Sequence, residues 1–410
     1  MRFQSFSLSR RGAVFLGAAL ASPAIPSRAQ EADALAPVSA SRIAAISDGD
    51  FLASTFTDGV LPPFGAHRDL LTLFTRSGQG FTRAALEVSN SATAGPDTMA
   101  ASPDGQTLYV VDRLERATPE ATRVTELAPG RTLTTIRPEP SSALVATRAV
   151  PPGSEAVAAS PDGAWLAVVG NGAEQATLAL LPVGDGPPGE AVVYGHAALG
   201  FAAADEGPRG GVTLTGVQWL PDAKALALTD AGGKRLGFFR FDGGTLTPWG
   251  GLVATGGGPL TGRFVPGGRF YVTAEGPGRG VLGVMQMAED GRHRRIAEVP
   301  ADMAPRGLAV SRDGRLLAMV HVRGTAEASV SLLAFDPESG ECRKLQEAPL
   351  EGLLPAGAAF DATGSHLLVT LFQGNGDQGA LAVFRTAQQQ LVPAGRVPLP
   401  HGAHHVVVCA

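Results

Sequence analysis

The sequence predicts an all-β repeat fold, and three observations carry that prediction. The first is a recurring hairpin. Residues 305–322 read P-R-G-L-A-V-S-R-D-G-R-L-L-A-M-V-H-V, two apolar runs around a turn at Ser311 to Gly314. Asp-Gly between two strand-like runs is a hairpin signal, because glycine takes positive φ without steric cost. The second is a pair of further strand-like runs after each hairpin, before the next copy begins. The third is composition: 53 glycines and 31 prolines in 410 residues are scattered among apolar runs, which is the pattern of many turns rather than of disorder.

Taken in order, the chain opens on an address. Ser9-Arg10-Arg11-Gly12 leads into an apolar run, Ala13 to Ala21, and Ser27-Arg28-Ala29 supplies small residues before a cut. Residues 1–29 resemble a twin-arginine (Tat) signal peptide, although Phe15-Leu16 stands two residues later than usual; a Sec signal or an uncleaved anchor are the alternatives. The run is well short of the ~20 residues of a spanning helix, so no membrane span is expected in the mature chain. Residues 30–40 read as a linker and 41–410 as the folded domain.

Hairpin copies then occur at 98–111, 156–169, 216–229, 262–273, 305–322 and 357–370, with a degenerate copy at 42–55. Pro103, Pro161, Pro221, Pro266, Arg312 and Ala362 are equivalent positions, separated by 58, 60, 45, 46 and 50 residues. Each step holds one supersecondary unit. Partner pairs such as Val330 to Phe335 with Cys342 to Glu347 complete four strands per unit. One such sheet cannot bury both faces alone, so neighbours stack around an axis. Seven copies predict a seven-bladed β-propeller of four-stranded antiparallel blades, with a linear β-solenoid as the alternative. Pro400 to Val408 resembles the start of an eighth copy but stops at Ala410, so the N- and C-terminal strands are expected to close the ring in one shared blade. Residues 129–152 and 184–211, rich in Pro and Gly, are expected to be loops.

The P-D-G turn with L-x-V after it resembles the YVTN and lactonase-type propellers, as does the segment from Ala380 to Gly402. The resemblance, to the 6-phosphogluconolactonase-like family, covers residues 40–410. It implies a propeller fold and, by analogy, sugar-lactone hydrolysis or muconate cyclisation. The turn is a folding device and carries little about chemistry.

Alignment of the repeats selects candidate site residues. The positions before the innermost strands are Asp97, Glu155, Thr215, Arg306 and His401, and those after the second strands are Asp112, Asn171, Asp230, Glu275 and His321. Arg113 and Arg323 are close in sequence. All are expected around one mouth of the central channel, opposite the P-D-G turns. For lactone opening, Glu155 or Glu275 is a candidate base, His321 or His401 an acid–base partner and Arg306 an oxyanion stabiliser. Arg306 and Arg323 together suit an anion clamp, with Asp97, Asp112, Arg113, Asn171, Thr215 and Asp230 as binding positions. A solvated channel lip would carry similar residues.

Several classes are excluded or unsupported. A net charge of −5 argues against nucleic acid. Neither G-x-S-x-G, a P-loop, a Rossmann fingerprint nor C-x-x-C-H is present. His401, His404 and His405 are the strongest metal signal, but strand alternation separates the last two, and two histidines make no closed site. No cofactor is expected, a divalent cation in the channel being the weaker alternative. Cys342 and Cys409 read as isolated thiols. The expected protein is an exported, periplasmic or secreted monomer that binds a small molecule or a periplasmic protein partner, with lactone hydrolysis as the alternative.

Overall fold

In a computed structural model, residues 34–138, 143–201, 211–276, 280–301, 303–324, 327–374 and 376–410 are described. The expected export signal, residues 1–29, lies outside them. The described chain forms seven sheets, each with a four-strand antiparallel path, with one extra short strand, Val253–Ala254, on the fourth. The innermost strands contact one another in sequence around a closed ring. In blade order they are Ala403–Cys409, Met99–Ala101, Ser154–Ala159, Leu214–Trp219, Gly258–Phe264, Ala304–Val310 and Leu353–Phe360. The fold is a seven-bladed β-propeller.

Blade 1 closes the ring with strands from both termini. The C-terminal strand is innermost, and Arg42–Ser47 pairs with it as the second strand, with Ile43 opposite Val408 and Arg42 opposite Cys409. Two sequence expectations change as a result. Residues 42–55 are not a hairpin copy, because the chain leaves Ser47 into a loop with a helical turn at Thr55–Asp58 before the third strand, Leu70–Ser77. Residues 34–40, expected as a linker, hold Ala34, Leu35 and Val38 buried against Leu381, Val397 and Leu399 of blade 7.

The Pro- and Gly-rich segments also differ from expectation. Residues 129–152 contain the two outer strands of blade 2, Thr132–Arg137 and Ala143–Ala149, and 184–211 contain the outer strand of blade 3, Val192–Gly195. Outer strands face solvent on one side, so their apolar alternation is weak: Ala143–Ala149 is mostly exposed. Both cysteines are free.

The P-D-G turns behave as their sequence requires. Gly105, Gly163, Gly314 and Gly364 all take φ between 67° and 74°. In each of the turns led by serine the hydroxyl meets the aspartate, as in Ser160 with Asp162 and Ser311 with Asp313. Between blades the core is apolar, as where Leu178 and Leu180 of blade 3 pack with Trp219 and Leu228 of blade 4. Burial of this kind on every inter-blade face holds the ring together at about 25 cal/mol per Å² of apolar surface.

Candidate functional site in the central channel

The inner strands share a local irregularity that builds the site. Pairing register shifts between Ser154 and Ala156, Leu214 and Gly216, Pro259 and Thr261, and Pro305 and Gly307. Blade 1 shifts at the same level, skipping His404. Each bulge releases one residue from the ladder and re-aims its side chain. The released residues, Glu155, Thr215, Leu260, Arg306 and His404, line one cavity of about 70 Å³ on the channel axis.

A plug covers this cavity on the mouth side. Between the outer strand of blade 1, Gly80–Glu87, and the inner strand of blade 2, the chain dips into the channel. The Ala92 amide donates to Asp48 (2.7 Å), Asn90 Nδ2 donates to the carbonyls of Ser47 and Val88, and the Gly95 amide donates to Glu155 Oε2 (3.2 Å). Gly95 sits where no side chain fits, since a Cβ there would lie 2.7 Å from the Thr215 carbonyl oxygen. Arg113 ties the plug to the wall, with Nε on Glu155 (2.9 Å) and a terminal nitrogen on Thr93 Oγ1 (2.9 Å). Burial, reinforced by Asp69, raises the Asp48 carboxyl well above its ordinary range. Asp69, whose carboxylate receives the Asn90 and Gly49 amides, is pushed up to about 7 by burial and by Asp50.

Two cavity residues keep unused chemistry. Arg306 has no hydrogen bond or ion pair to any described residue, and burial lowers its pKa from the ordinary arginine value. Among the described residues its charge therefore has no carboxylate partner, an expensive arrangement unless a ligand or water completes it. His404 is buried, and its Nε2 donates to Asn90 Oδ1 (2.7 Å), an orientation that assigns the proton to Nε2 and leaves a lone pair on Nδ1. Burial, with His405 and Arg306 adding to it, lowers its pKa to about 3, so the ring is neutral at physiological pH.

Below this cavity an ion pair spans the channel. Asp97 of the blade 2 link meets Arg263 of blade 5 through two hydrogen bonds, 2.9 and 2.5 Å, and accepts a third from Thr261 (2.6 Å). Burial opposes the charge on Asp97, but Arg263 and Thr261 outweigh it and hold the carboxyl below its ordinary range. On the P-D-G side the channel widens into a funnel of about 900 Å³, with Asp97, Arg263 and His405 at its base and Gln218 and Arg312 among its lining residues. The sequence reading placed the site at the other mouth, whereas this funnel opens on the P-D-G side.

Most of the remaining expected residues hold loops or strands rather than face the cavity. Glu275 is fully buried and saturated by Arg295, Thr273 and the amides of Gly256 and Gly257. Asp230 accepts from Arg235, Thr213 and Gly233, and Asn171 pairs with both backbone groups of Leu214 in the next blade. Asp112, raised by burial, accepts from the Thr132 amide and Ser89. His321 meets Ser331 within blade 6, and Arg323 is exposed beside Glu327, away from Arg306's cavity. Thr215 lines the cavity but donates its hydroxyl to the Pro259 carbonyl. His401 does not join the channel: its nitrogens lie against the carbonyls of Phe51 and Asp377. The match of Pro400-His401-Gly402 to Pro305-Arg306-Gly307 misplaced it, since the bulge in blade 1 falls three residues later, on His404. Asp48, Arg263 and the plug were not singled out. Aligning Arg42–Ser47 with the second strands would have placed Asp48 beside Asp112, Asp230 and Glu275.

This architecture defines a closed seven-bladed propeller with a plugged channel. Residues 210–397 match the family described as "Lactonase, 7-bladed beta-propeller". No curated protein sequence matches. The chain is similar to a periplasmic gluconolactonase from Pseudomonas aeruginosa, at 22% identity, TM-score 0.69, with 90% of this chain and 99% of that one covered. It is also similar to a candidate 6-phosphogluconolactonase from Bacteroides uniformis, at 18% identity, TM-score 0.66, covering 90% and 99%. A hydrazine synthase from Kuenenia stuttgartiensis shares the fold at 16% identity and TM-score 0.55, covering 77% and 90%. The chain therefore resembles the lactonase-type propellers, and the breadth of chemistry on the fold leaves function to the site.

Proposed function

We propose that this protein is an exported lactone hydrolase of the propeller type, acting in the central channel. The observation that carries the proposal is Arg306, a channel guanidinium without a hydrogen-bond or ion-pair partner among the described residues, in one cavity with a neutral His404 whose Nδ1 lone pair is unused by them. In this reading a lactone carbonyl oxygen rests on Arg306. His404 Nδ1 takes a proton from water, and the resulting hydroxide attacks the carbonyl carbon. Arg306 stabilises the tetrahedral oxyanion. Collapse breaks the ring C–O bond, and the leaving alkoxide recovers the proton from His404. The product hydroxy acid then releases its carboxyl proton to water, and the resulting carboxylate also suits Arg306.

Burial has opposite consequences for the two functions of His404. It keeps the ring unprotonated, as a base must be, but a pKa of about 3 makes it a weak one. An anionic transition state beside it raises that value during the reaction. At about 70 Å³ the cavity has room for a few waters, not a sugar, so the substrate is admitted only when the Ala92 to Pro96 plug withdraws. The sequence pattern of residues 1–29 and the likeness to a periplasmic gluconolactonase support export.

The test is a lactone screen and then pH-stat kinetics on the mature protein. Arg306→Ala and His404→Asn are expected to lower kcat/KM about 100-fold or more, the scale for losing one oxyanion donor. Undiminished turnover in Arg306→Ala would overturn the reading. A second reading, a binding protein, rests on the funnel of about 900 Å³, which is of ligand size. A flat lactone screen, with ligand protection mapping to Gln218 and Arg312, would favour it.

A further inference from the structure

Where the ring closes, three side chains from distant parts of the sequence converge outside the channel. His67 lies in the loop between the second and third strands of blade 1. Asp377 lies in a loop of blade 7, and His401 lies in the link from blade 7 into the last strand. One ligand atom from each lies within 4.8 Å of the others. The imidazoles stack at 4.4 Å with their planes 17° apart, so one ring turns out of the stack when both nitrogens bind a common ion. The Asp377 carboxylate spans their edges, with one oxygen 3.6 Å from His67 Nε2 and the other 3.7 Å from His401 Nδ1.

Hydrogen-bond bookkeeping at His401 makes the cluster more than a coincidence of polar groups. His401 Nε2 faces the Phe51 carbonyl at 3.0 Å, and a carbonyl only accepts, so Nε2 carries a proton. Nδ1 then holds a lone pair, yet it faces the Asp377 carbonyl oxygen at 3.1 Å and the carboxylate. A lone pair directed at oxygens is repelled by them, and a cation held between them removes that conflict. A metal-bound histidine characteristically donates its other N–H to a carbonyl, the contact Nε2 makes with Phe51. The carboxylate–imidazole separations also fit. They are too long for hydrogen bonds, whereas zinc bonds of ~2.0–2.1 Å place tetrahedral ligand atoms roughly 3.3 Å apart, a few tenths of an ångström closer.

We propose that His67, Asp377 and His401 bind one divalent transition-metal ion, zinc by the character of the ligands, and that the ion clasps blade 7 to blade 1 across the ring closure. Two imidazoles and a carboxylate form a borderline N₂O set with a position left for water. The half-buried His67 and exposed Asp377 let the ion enter from solvent. The site is separate from Arg306 and His404, so its test stands whatever the channel does.

The experiment uses the full mature chain, stripped with chelator and titrated with zinc chloride by calorimetry, with metal content and thermal unfolding measured alongside. One zinc per chain, with Kd in the micromolar range or tighter, is expected. A rise in Tm on adding zinc is expected too, because a ligand that binds only the folded state stabilises it. His67→Ala and Asp377→Asn change exposed or half-exposed side chains, so both proteins should fold. Each is expected to weaken zinc binding at least 10-fold and to lose the Tm rise. Cobalt(II) should give the intense visible absorption of a tetrahedral site, absent in Asp377→Asn. Substoichiometric zinc in the unaltered protein, or equal affinity in both variants, would overturn the proposal.

Discussion

The two faces of this propeller solve the same connection problem in opposite ways. On one face the inner strand turns into the second strand through a repeated device: an aspartate whose Oδ1 caps the turn and a glycine at positive φ. Asp104, Asp162 and Asp313 receive the amide two residues on at 3.0, 3.0 and 3.1 Å. On the other face each blade finds its own solution. Asp48 holds a plug, Asn171 splices blade 3 to blade 4, Asp230 and Glu275 pair with Arg235 and Arg295, and His321 meets a serine. Repetition marks what folding needs from every blade. Variation marks the positions with a particular task, and in this chain that task is mostly to fix a loop.

Removing one bond inside the channel and one on the repeated face breaks or sharpens that comparison. Asp97→Ala should have the largest effect, about 3–5 kcal/mol of stability by urea denaturation, because it strands Arg263 inside the channel. Asp162→Ala, on the repeated face, removes a turn cap and should cost about 1 kcal/mol. If the two losses were equal, the cross-channel pair would be no more than another loop anchor.

The acid limb of stability should come from the channel. His404 and His405 are buried, with pKa values lowered by burial to about 3 and about 4. Their unfolded values are near the ordinary value of about 6.5. Between about pH 6.5 and those folded values the unfolded chain binds protons that the folded chain does not. Stability therefore falls as pH drops through that window, by up to about 1.4 kcal/mol per pH unit for each histidine, and is fully present above it. Protonating His405 Nδ1 also breaks its bond from the Met99 amide, which joins the inner strands of blades 1 and 2. His405→Gln should flatten the slope measured by denaturation between about pH 4 and 6.5. An unchanged slope would place acid sensitivity elsewhere.

The fold was legible because its signal is periodic. Asp-Gly turns between apolar runs recur along the hairpins, and the truncated copy at the C-terminus pointed to the ring closure. Residues 42–55 were misread because Ser47-Asp48-Gly49 imitates the turn while ending a second strand, and only pairing with the C-terminal strand distinguishes the two. The site was less legible for a physical reason. Which inner-strand residue faces the axis depends on where the bulge falls, and a bulge is a backbone event with no fixed residue type. Arg306, Glu155 and Thr215 were reached because their repeats align without gaps. His404 was not, since its bulge is displaced relative to Pro400-His401-Gly402. The plug has no counterpart among the repeats, so no comparison of repeats could reveal it.

The smallest effect tests the repeated face on its own terms. Blade 4 breaks the pattern with Leu220-Pro221-Asp222-Ala223, and the turn still forms: the Ala223 amide reaches the Leu220 carbonyl at 2.9 Å, and Asp222 caps Lys224 at 2.9 Å. Ala223 accordingly sits at φ 62°, where the other turns hold glycine. An L-residue there costs about 1–2 kcal/mol. Glycine removes that strain but returns roughly 0.5–1 kcal/mol of chain entropy. Ala223→Gly should thus stabilise the protein by about 0.5–1 kcal/mol, seen as a higher denaturation midpoint at constant m. The converse, Gly163→Ala, meets no atom closer than 3.6 Å, so any loss there is conformational rather than steric. It should destabilise by a similar amount. Opposite signs of similar size would establish the turn as a purely local device, equivalent in every blade. A neutral Ala223→Gly would mean that blade 4 has relaxed around its alanine, and that even the repeated face carries blade-specific structure.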